Sequence, residues 1–304
     1  MTLGKAEKPD RQLAEALAKI ARDVDSMFDA LLSPPGDSRD ALIAAMRHAA
    51  IGGGKRLRPL LLVTTAAMYQ ADRTQALRAA IAIEAVHAYS LAHDDLPCMD
   101  DDAMRHGKPS LHKEFGEALA VLAGDALQGF AFEVLADPAT SGDPFVRAEL
   151  VQVLAQAAGA GGMVGGQVMD IAGEGQSLDL PAVTRLQQLK TGALLAAAVE
   201  MGAVLGKVPA EGRTHLRRYA RDVGLAFQIA DDLLDHEGDE VNTGKALRKD
   251  AAAGKQTFVG LLGAERAREQ ARLLSEQAIA HLAQHGQEAD VLRSVARFIV
   301  ERDH

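Results

Sequence analysis

Tryptophan is absent from this 304-residue chain, and aromatic residues make up only 4% of it. The core must therefore consist mainly of Ala, Leu, Val, Ile and Met. Strands favour aromatic and β-branched side chains, whereas Ala and Leu are good helix formers, so this composition favours an all-α fold. Hydrophobic residues at 48% and charged residues at 25% are typical of a globular protein and exclude a disordered or collagen-like chain.

The chain has one cysteine, Cys98, which excludes an internal disulfide framework and favours a reducing, cytoplasmic location. Acidic residues outnumber basic ones by 42 to 33, and the net charge of −9 argues against a non-specific nucleic-acid binder. No apolar run approaches the roughly 20 residues that cross a bilayer, so we expect no membrane span. Mixed charges near the N-terminus also argue against a signal peptide.

Apolar residues recur at spacings of three and four along most of the chain, which predicts helices. Neither a β-hairpin nor an interdomain linker is expected, so residues 1–304 are predicted to form a single all-α domain. The longest irregular segment, 237–254, is a candidate mobile lid. After a first helix that ends before Pro34, the predicted helices are approximately 38–50, 59–70, 75–95, 116–136, 144–159, 179–206, 211–235 and 264–303.

The first acidic cluster, DDLPCMDDD at 94–102, follows a mostly apolar helix. A helix that is apolar on most sides is buried, so a polar stripe along it is expected to face an internal cavity. Asp94 and Asp100 are too far apart in sequence to share one helical face, but Pro97 must bend or end the helix between them. Both carboxylates are then able to converge on one ion. The stripe consists of Glu84, His87, Ser90 and Asp94.

The second acidic cluster ends another apolar helix. Asp231 and Asp235 lie at i and i+4 on one face, and Gln228 extends that face by a turn. Like charges repel unless a cation intervenes, and oxygen ligands without Cys or His suit Mg²⁺ rather than Zn²⁺. Magnesium takes one or two carboxylates and completes its shell with water and phosphate oxygens. Two such clusters facing each other therefore predict a diphosphate substrate.

Basic residues lie beside both clusters. A single lysine is usually solvated surface, but the group is more informative than its members. The segment 54–59, GKRLRP, places positive charge at a helix start, where the helix dipole also favours anions. The others are Arg105 and Lys108 after the first cluster, Lys190 with Thr191 at a helix start, and Lys245 and Lys255 at the candidate lid.

A glycine-rich helix is predicted within 161–170, GGMVGGQVMD. Gln167 and Asp170 share one face of it at i, i+3. Glycines inside a helix cost about 1 kcal/mol each, so close approach of a ligand or of another helix is one explanation for them. Ordinary helix packing is an equally good one.

These motifs, in this order, resemble the trans-isoprenyl diphosphate synthases, and most closely the bacterial farnesyl diphosphate synthase type. The resemblance implies an all-α bundle around a deep central cavity and a homodimer. The matching segments are GGGKRLRP (52–59), HAYSLAHDDLPCMDDDAMRHGKPSLH (87–112), LAGDALQ (122–128), GGMVGGQVMD (161–170), KTGAL (190–194), GLAFQIADDLLD (224–235), TGK (243–245) and AGKQT (253–257).

The resemblance also implies roles for individual residues. Two Mg²⁺ ions would be bound by Asp94, Asp95 and Asp100, and a third by Asp231 and Asp235. The three ions would hold the diphosphate of dimethylallyl or geranyl diphosphate, assisted by Arg105, Lys190 and Lys245. Lys255 is a further candidate for substrate binding. The diphosphate of isopentenyl diphosphate would be bound by Lys55, Arg58 and His87, while Thr191 and Gln228 would face the allylic carbon.

One position departs from the family pattern. Members usually carry a second arginine after the position of Arg105, where it helps bind isopentenyl diphosphate, but this chain has His106. A histidine with an ordinary pKa near ~6.5 is mostly neutral at pH 7. The departure affects the strength of isopentenyl diphosphate binding and leaves the reaction class intact.

Tyr89 bears on product length. It lies five residues before Asp94, a drop of ~7.5 Å along a helix at ~1.5 Å per residue, which is little more than one isoprene unit. A tyrosine ring that lies across the cavity at this depth would stop elongation at the fifteen-carbon product. The alternative is that Tyr89 simply packs against a neighbouring helix. An aromatic residue at this offset also resembles the bacterial farnesyl type.

Three alternatives remain. A geranylgeranyl diphosphate synthase would differ only in cavity depth. A terpene cyclase would carry an Asn/Ser/Glu-type metal site instead of the aspartates at 231 and 235, which disfavours it. A non-catalytic helical partner subunit would be expected to have lost some of these aspartates, yet all of them are present.

Overall fold

The computed structural model describes residues 11–237 and 255–301, and the elements within them are almost all helical. Numbered in chain order across these residues, the helices are α1 (Arg11–Leu31), α2 (Asp40–Ala50), α3 (Leu57–Met68), α4 (Arg73–Asp94), α5 (Leu111–Phe115), α6 (Glu117–Ala136), α7 (Pro144–Ala158), α8 (Met163–Gly173), α9 (Leu180–Gln187), α10 (Ala193–Leu205), α11 (Thr214–Glu237), α12 (Phe258–Leu262), α13 (Ala264–His281) and α14 (Asp290–Glu301). The predicted all-α fold is confirmed.

Two sequence-based predictions were wrong in detail. The stretch predicted as one helix over 264–303 is two helices, because α13 ends at His281 and a separate 3₁₀ turn, Gln287–Ala289, precedes α14. The stretch predicted over 179–206 contains a π-helical turn, Gln188–Gly192, between α9 and α10.

A small hairpin that the sequence did not predict follows the first acidic cluster. Strands β1 (Met104–Arg105) and β2 (Lys108–Pro109) pair antiparallel. The two residues between them, His106 and Gly107, have φ of 51° and 76°. Positive φ at both central residues is the pattern of a type I′ turn, which matches the twist of paired strands.

The first of two compact units comprises Glu15–Gln152 and Met201–Lys207. Helix α4 lies at its centre and packs against α2, α3 and α6. Its residues from Ala79 to Ile83 have no exposed surface. This burial confirms the expectation for a helix that is apolar on most sides. Glu84 of the polar stripe contacts Arg56 rather than a cavity.

The second unit comprises residues 11–14, Val153–Glu200, 208–237 and 255–301 among those described. Helix α11 packs against α13 and α14. The Tyr219 ring is fully buried, and its hydroxyl donates a hydrogen bond to the Leu292 carbonyl oxygen at 2.8 Å. This bond satisfies a polar group that would otherwise destabilise the core.

Three of the four borders between the units fall inside α1, α7 and α10, and the fourth lies between Lys207 and Val208, after α10. The prediction of a single domain over 1–304 stays a prediction. Two helical segments, Glu117–Ala136 and Leu180–Leu205, are long and apolar enough to cross a membrane by length and composition alone. Core helices of soluble proteins meet the same criterion, so the expectation of no membrane span also stays a prediction.

Candidate active site

The first acidic cluster begins at the end of α4. The helix ends at Asp94, before Pro97 as expected, and the Asp100 backbone N–H then donates to the Asp94 carbonyl oxygen at 2.8 Å. The chain therefore turns back within six residues and brings the two aspartates next to each other. The Asp94 side chain is half-buried, whereas the Asp100 side chain is exposed.

Asp95 differs from its neighbours because it is buried against Arg105. The Arg105 Nε lies 3.0 Å from Asp95 Oδ1 and 3.3 Å from Oδ2, its Nη2 contacts Oδ1 as well, and the same Nη2 lies 3.2 Å from Asp102 Oδ2. Burial raises the pKa of Asp95, and the Arg105 charge only partly opposes it. The predicted metal ligand Asp95 is thus an ion-pair partner of Arg105 in this structure, whereas Asp94 and Asp100 are the more accessible carboxylates.

Positive charge gathers in the same unit around His87. Burial lowers the pKa of His87 well below its ordinary value, and the charges of Arg58, His106, Arg56 and Arg105 act in the same direction. His87 is therefore neutral at pH 7 and adds no charge of its own to this cationic cluster. Such a cluster attracts an anion, because like charges in a confined space raise the local potential.

The His106 ring lies against the loop that leads into α3. A Cβ built on Gly53 would lie 2.9 Å from His106 Cδ2, and one built on Gly54 would lie 3.5 Å from Nε2. A cleft of about 420 Å³, open in part to solvent, adjoins this contact. Its polar lining includes His48, Asp95, Arg105, His106, Lys108 and Ser110. Lys55 and Arg58 follow the glycines, with Lys55 exposed and Arg58 half-buried.

Tyr89 lies one and a half turns before Asp94 and is 6% exposed. Its ring meets His93 edge-on, with centroids 5.7 Å apart. Burial raises the pKa of Tyr89, the nearby Gln128 side chain of α6 partly opposes this, and the charge of Asp94 raises the pKa further. Tyr89 is therefore close to both Asp94 and α6.

The second acidic cluster lies at the end of α11, where Asp231 and Asp235 are half-buried. Asp232 between them is 4% exposed and accepts hydrogen bonds from the Phe258 backbone N–H at 2.8 Å and from Gln228 Nε2 at 3.1 Å. Asp232 therefore fixes the start of α12 on α11. Asp231 and Asp235, on either side of it, lie about one helical turn apart.

The π-helical turn supplies two of the predicted site residues. The Thr191 hydroxyl donates to Gln228 Oε1 at 3.1 Å, which joins two residues expected to act together. Lys190 Nζ lies 2.6 Å from Asp170 Oδ2, and Lys255 Nζ lies 3.0 Å from the same oxygen. Burial alone would raise the pKa of Asp170, but the two ammonium groups outweigh it and lower this pKa.

The sequence did not predict the role of Asp170, although its spacing from Gln167 placed the two residues on one helical face. Asp170 holds together two lysines that are distant in sequence. Lys245 and most of the candidate lid at 237–254 lie outside the described residues, so they stay predictions.

The donor atoms at both acidic clusters are carboxylate oxygens. Within 11–237 and 255–301, no three His, Cys, Asp or Glu side chains are grouped closely enough to form a complete metal site. Magnesium binds oxygen ligands, uses one or two protein carboxylates and takes its remaining ligands from water and substrate phosphate. Asp94 with Asp100, and Asp231 with Asp235, fit it in the type and number of their donors.

Residues 39–297 match the family model described as polyprenyl synthetase. The farnesyl diphosphate synthase of Escherichia coli is 41% identical over 299 residues, covering 96% of this chain and 98% of that protein. A chloroplastic geranylgeranyl pyrophosphate synthase of Arabidopsis thaliana is 42% identical over 270 residues, covering 86% of this chain and 75% of that protein.

Solved structures give the same result. An FPP/GFPP synthase from Zymomonas mobilis has a TM-score of 0.87 and 53% identity, covering 95% of this chain and 99% of that one. A geranyltransferase from Helicobacter pylori, complexed with magnesium and isoprenyl diphosphate, has a TM-score of 0.82 and 30% identity, with 98% of each chain covered. The chain therefore belongs to the polyprenyl synthetase family and is a trans-prenyltransferase with the all-α isoprenoid synthase fold.

Proposed function

We propose that this prenyltransferase is a magnesium-dependent farnesyl diphosphate synthase, which condenses isopentenyl diphosphate with dimethylallyl and then geranyl diphosphate. One observation supports the proposal: each unit contains two at least partly exposed aspartates together with a group of cations. The charge of Asp94 acts on Arg105, one of the cations around His87, and the unit that carries Asp231 and Asp235 also carries the two lysines on Asp170.

Asp94, Asp95 and Asp100, together with Asp231 and Asp235, are the proposed ligands of about three Mg²⁺ ions. The donor set supports this assignment, because it consists of carboxylate oxygens and the aspartates other than Asp95 are at least partly exposed. Bound magnesium would supply Lewis-acid stabilisation of the diphosphate that leaves the allylic carbon. In this structure Asp95 also orients Arg105, with which it forms an ion pair.

The basic residues divide between the two substrates in this proposal. Arg105, Lys190, Lys245 and Lys255 bind the allylic diphosphate, and Lys55, Arg58, His87 and His106 bind that of isopentenyl diphosphate. The Thr191 and Gln228 oxygens face the allylic carbon, where positive charge develops as its C–O bond breaks. The alkene then attacks that carbon, and the released diphosphate is the proposed acceptor of the proton lost afterwards.

Tyr89 supports the fifteen-carbon product, since its buried ring lies close to Asp94. A geranylgeranyl diphosphate synthase is the alternative, and the similarity to the Arabidopsis thaliana enzyme supports it. A longer product would require open space beyond Tyr89.

We also propose a cytoplasmic homodimer. The lone Cys98 supports the reducing compartment. Exposed apolar side chains of α6 and α7 in the first unit are the proposed contacts with a second copy of the chain. These side chains are Val121 and Leu122 of α6, 40% and 54% exposed, and Phe145 of α7, 83% exposed.

The decisive experiment supplies the purified protein with Mg²⁺, dimethylallyl diphosphate and isopentenyl diphosphate and identifies the products by chromatography. We expect farnesyl diphosphate, and a twenty-carbon product would favour the alternative. Asp231→Ala should lower turnover by orders of magnitude, whereas Glu269→Ala, at an exposed position of α13, should leave it unchanged. Mg²⁺ with inorganic diphosphate should raise the melting temperature of the wild type, because a ligand specific to the native state stabilises it. Full activity of Asp231→Ala would contradict the metal assignment.

A further inference from the structure

Arg56 is a buried arginine inside the basic segment, and no role in binding has been assigned to it above. It lies between the exposed Lys55 and the half-buried Arg58, yet only 5% of its own surface is exposed. Its φ is 51°, a left-handed conformation that a residue other than glycine adopts at an energetic cost. Such a conformation persists only where the surrounding contacts over-determine it.

Three acceptors surround the Arg56 guanidinium. Nη1 lies 2.7 Å from Glu84 Oε1, and Nη2 lies 2.7 Å from Asp25 Oδ1 and 2.6 Å from the Ala50 carbonyl oxygen. These acceptors come from α4, α1 and the end of α2 respectively. A buried charge is tolerated only when it is paired and hydrogen-bonded, and this arrangement meets both conditions.

Asp25 also contacts the start of the same loop. Its Oδ1 accepts a hydrogen bond from the Gly52 backbone N–H at 3.3 Å. One carboxylate oxygen therefore holds the loop at Gly52 and, through the guanidinium, again at Arg56. The three residues between these two points include the glycines on which the His106 ring lies.

We propose that Arg56, held by Glu84 and Asp25, is a positioning residue that fixes the loop at 52–56 and so presents Lys55 and Arg58 to the diphosphate of isopentenyl diphosphate. This inference rests on the proposed function of those two residues. Arg56 itself does not touch the substrate. The planar fork of arginine is essential to the role, because the single ammonium of lysine cannot reach three acceptors at these angles.

Steady-state kinetics of the full chain test the proposal. Arg56→Lys should raise KM for isopentenyl diphosphate about 10- to 100-fold, since a shift of about 1 Å in a binding group has effects of this size. KM for the allylic substrate and kcat at saturation should change less than about threefold. The matched control is Arg78→Lys in the same unit. Arg78 is also largely buried, but its Nη2 pairs with Asp137 Oδ2, at 2.6 Å, and not with this loop. This control should leave both KM values unchanged.

A second pair of variants keeps the test valid if Arg56→Lys does not fold. Asp25→Asn retains an oxygen that can accept both hydrogen bonds and should have nearly wild-type KM values, whereas Asp25→Leu removes the acceptor and should raise KM for isopentenyl diphosphate selectively. Equal changes in both KM values, or no change in either, would overturn the proposal.

Calorimetric titration with isopentenyl diphosphate, without metal, separates this inference from the proposed function. If the wild type binds it and Arg56→Lys binds it equally well, the positioning role is refuted whatever the turnover. If the wild type binds it but forms no product, the proposed function fails, and weaker binding by Arg56→Lys would still support the positioning role. If the wild type neither binds nor condenses it, both fail.

Discussion

Replacing Gly166 with alanine should damage the second unit in a way that can be calculated from its geometry. A Cβ on Gly166 of α8 would lie 2.2 Å from the Lys190 backbone nitrogen and 2.5 Å from its Cα. Ordinary contacts of a Cβ begin near 3.4 Å. Because the obstructing atoms belong to the backbone, no side-chain rotation relieves the overlap, and α8 must move away from the π-helical turn by roughly 1 Å.

The expected effects on stability and on activity differ in size. Alanine in place of glycine within a helix contributes about 1 kcal/mol to stability, whereas overpacking of this kind costs about 1–3 kcal/mol. The free energy of unfolding should therefore fall by no more than about 2 kcal/mol. Turnover should fall by about 100-fold, since Lys190 and Thr191 move with the turn and a 1 Å misplacement of such groups has that effect.

Product formation at saturating substrate and thermal unfolding measure the two effects separately. The control is Gly260→Ala in α12 of the same unit, where the nearest atom to an added Cβ is the Thr257 side-chain oxygen at 3.4 Å. This variant should retain activity. If Gly166→Ala is fully active and as stable as the wild type, the close approach of α8 to the turn does not constrain the site.

Three further changes have defined outcomes. Tyr89→Ala should shift the products, measured by chromatography, toward twenty carbons or more with little change in the first condensation. An unchanged product length would show that Tyr89 does not limit elongation. His106→Arg should lower KM for isopentenyl diphosphate, because arginine is a permanent cation that can donate two hydrogen bonds to one phosphate; an unchanged KM would exclude contact with the diphosphate. His215 and His285 share a hydrogen bond between their Nε2 atoms at 2.8 Å, and burial lowers the pKa of both. The unfolded chain therefore takes up protons first as the pH falls below about 6.5, so stability to urea should decrease toward pH 5, and less so in His285→Gln.

Local patterns in the sequence were enough to predict most of the fold and part of the site. The apolar run of α4 predicted its burial, and Pro97 predicted the turn that brings Asp100 back to Asp94. The spacing of Gln228, Asp231 and Asp235 predicted one helical face, and this depends only on the helical repeat. Family resemblance added the association of Thr191 with Gln228, which the structure shows as a hydrogen bond.

Contacts between distant residues were not predictable in the same way. Asp170 pairs with lysines 20 and 85 residues later, and no periodic pattern specifies such pairs. Asp95 had the charge of a metal ligand, but its burial against Arg105 depends on the hairpin that follows. That hairpin escaped prediction because its turn begins with His106, where Asn, Asp or Gly is usual.

The π-helical turn at Gln188–Gly192 has a consequence for how this chain tolerates insertions and deletions. Such a turn is equivalent to one extra residue inside a continuous helix, and each residue of an α-helix rotates the chain by about 100°. Deleting one residue from the turn would restore regular helical hydrogen bonds and should improve local helix stability. It would also rotate α9 relative to α10, so that Lys190 and Thr191 could no longer face Asp170 and Gln228 together. The π-helical turn thus gives up some regular helical hydrogen bonds and in return directs Lys190 and Thr191 toward their partners. A regular helix at this place would be more stable locally but less functional.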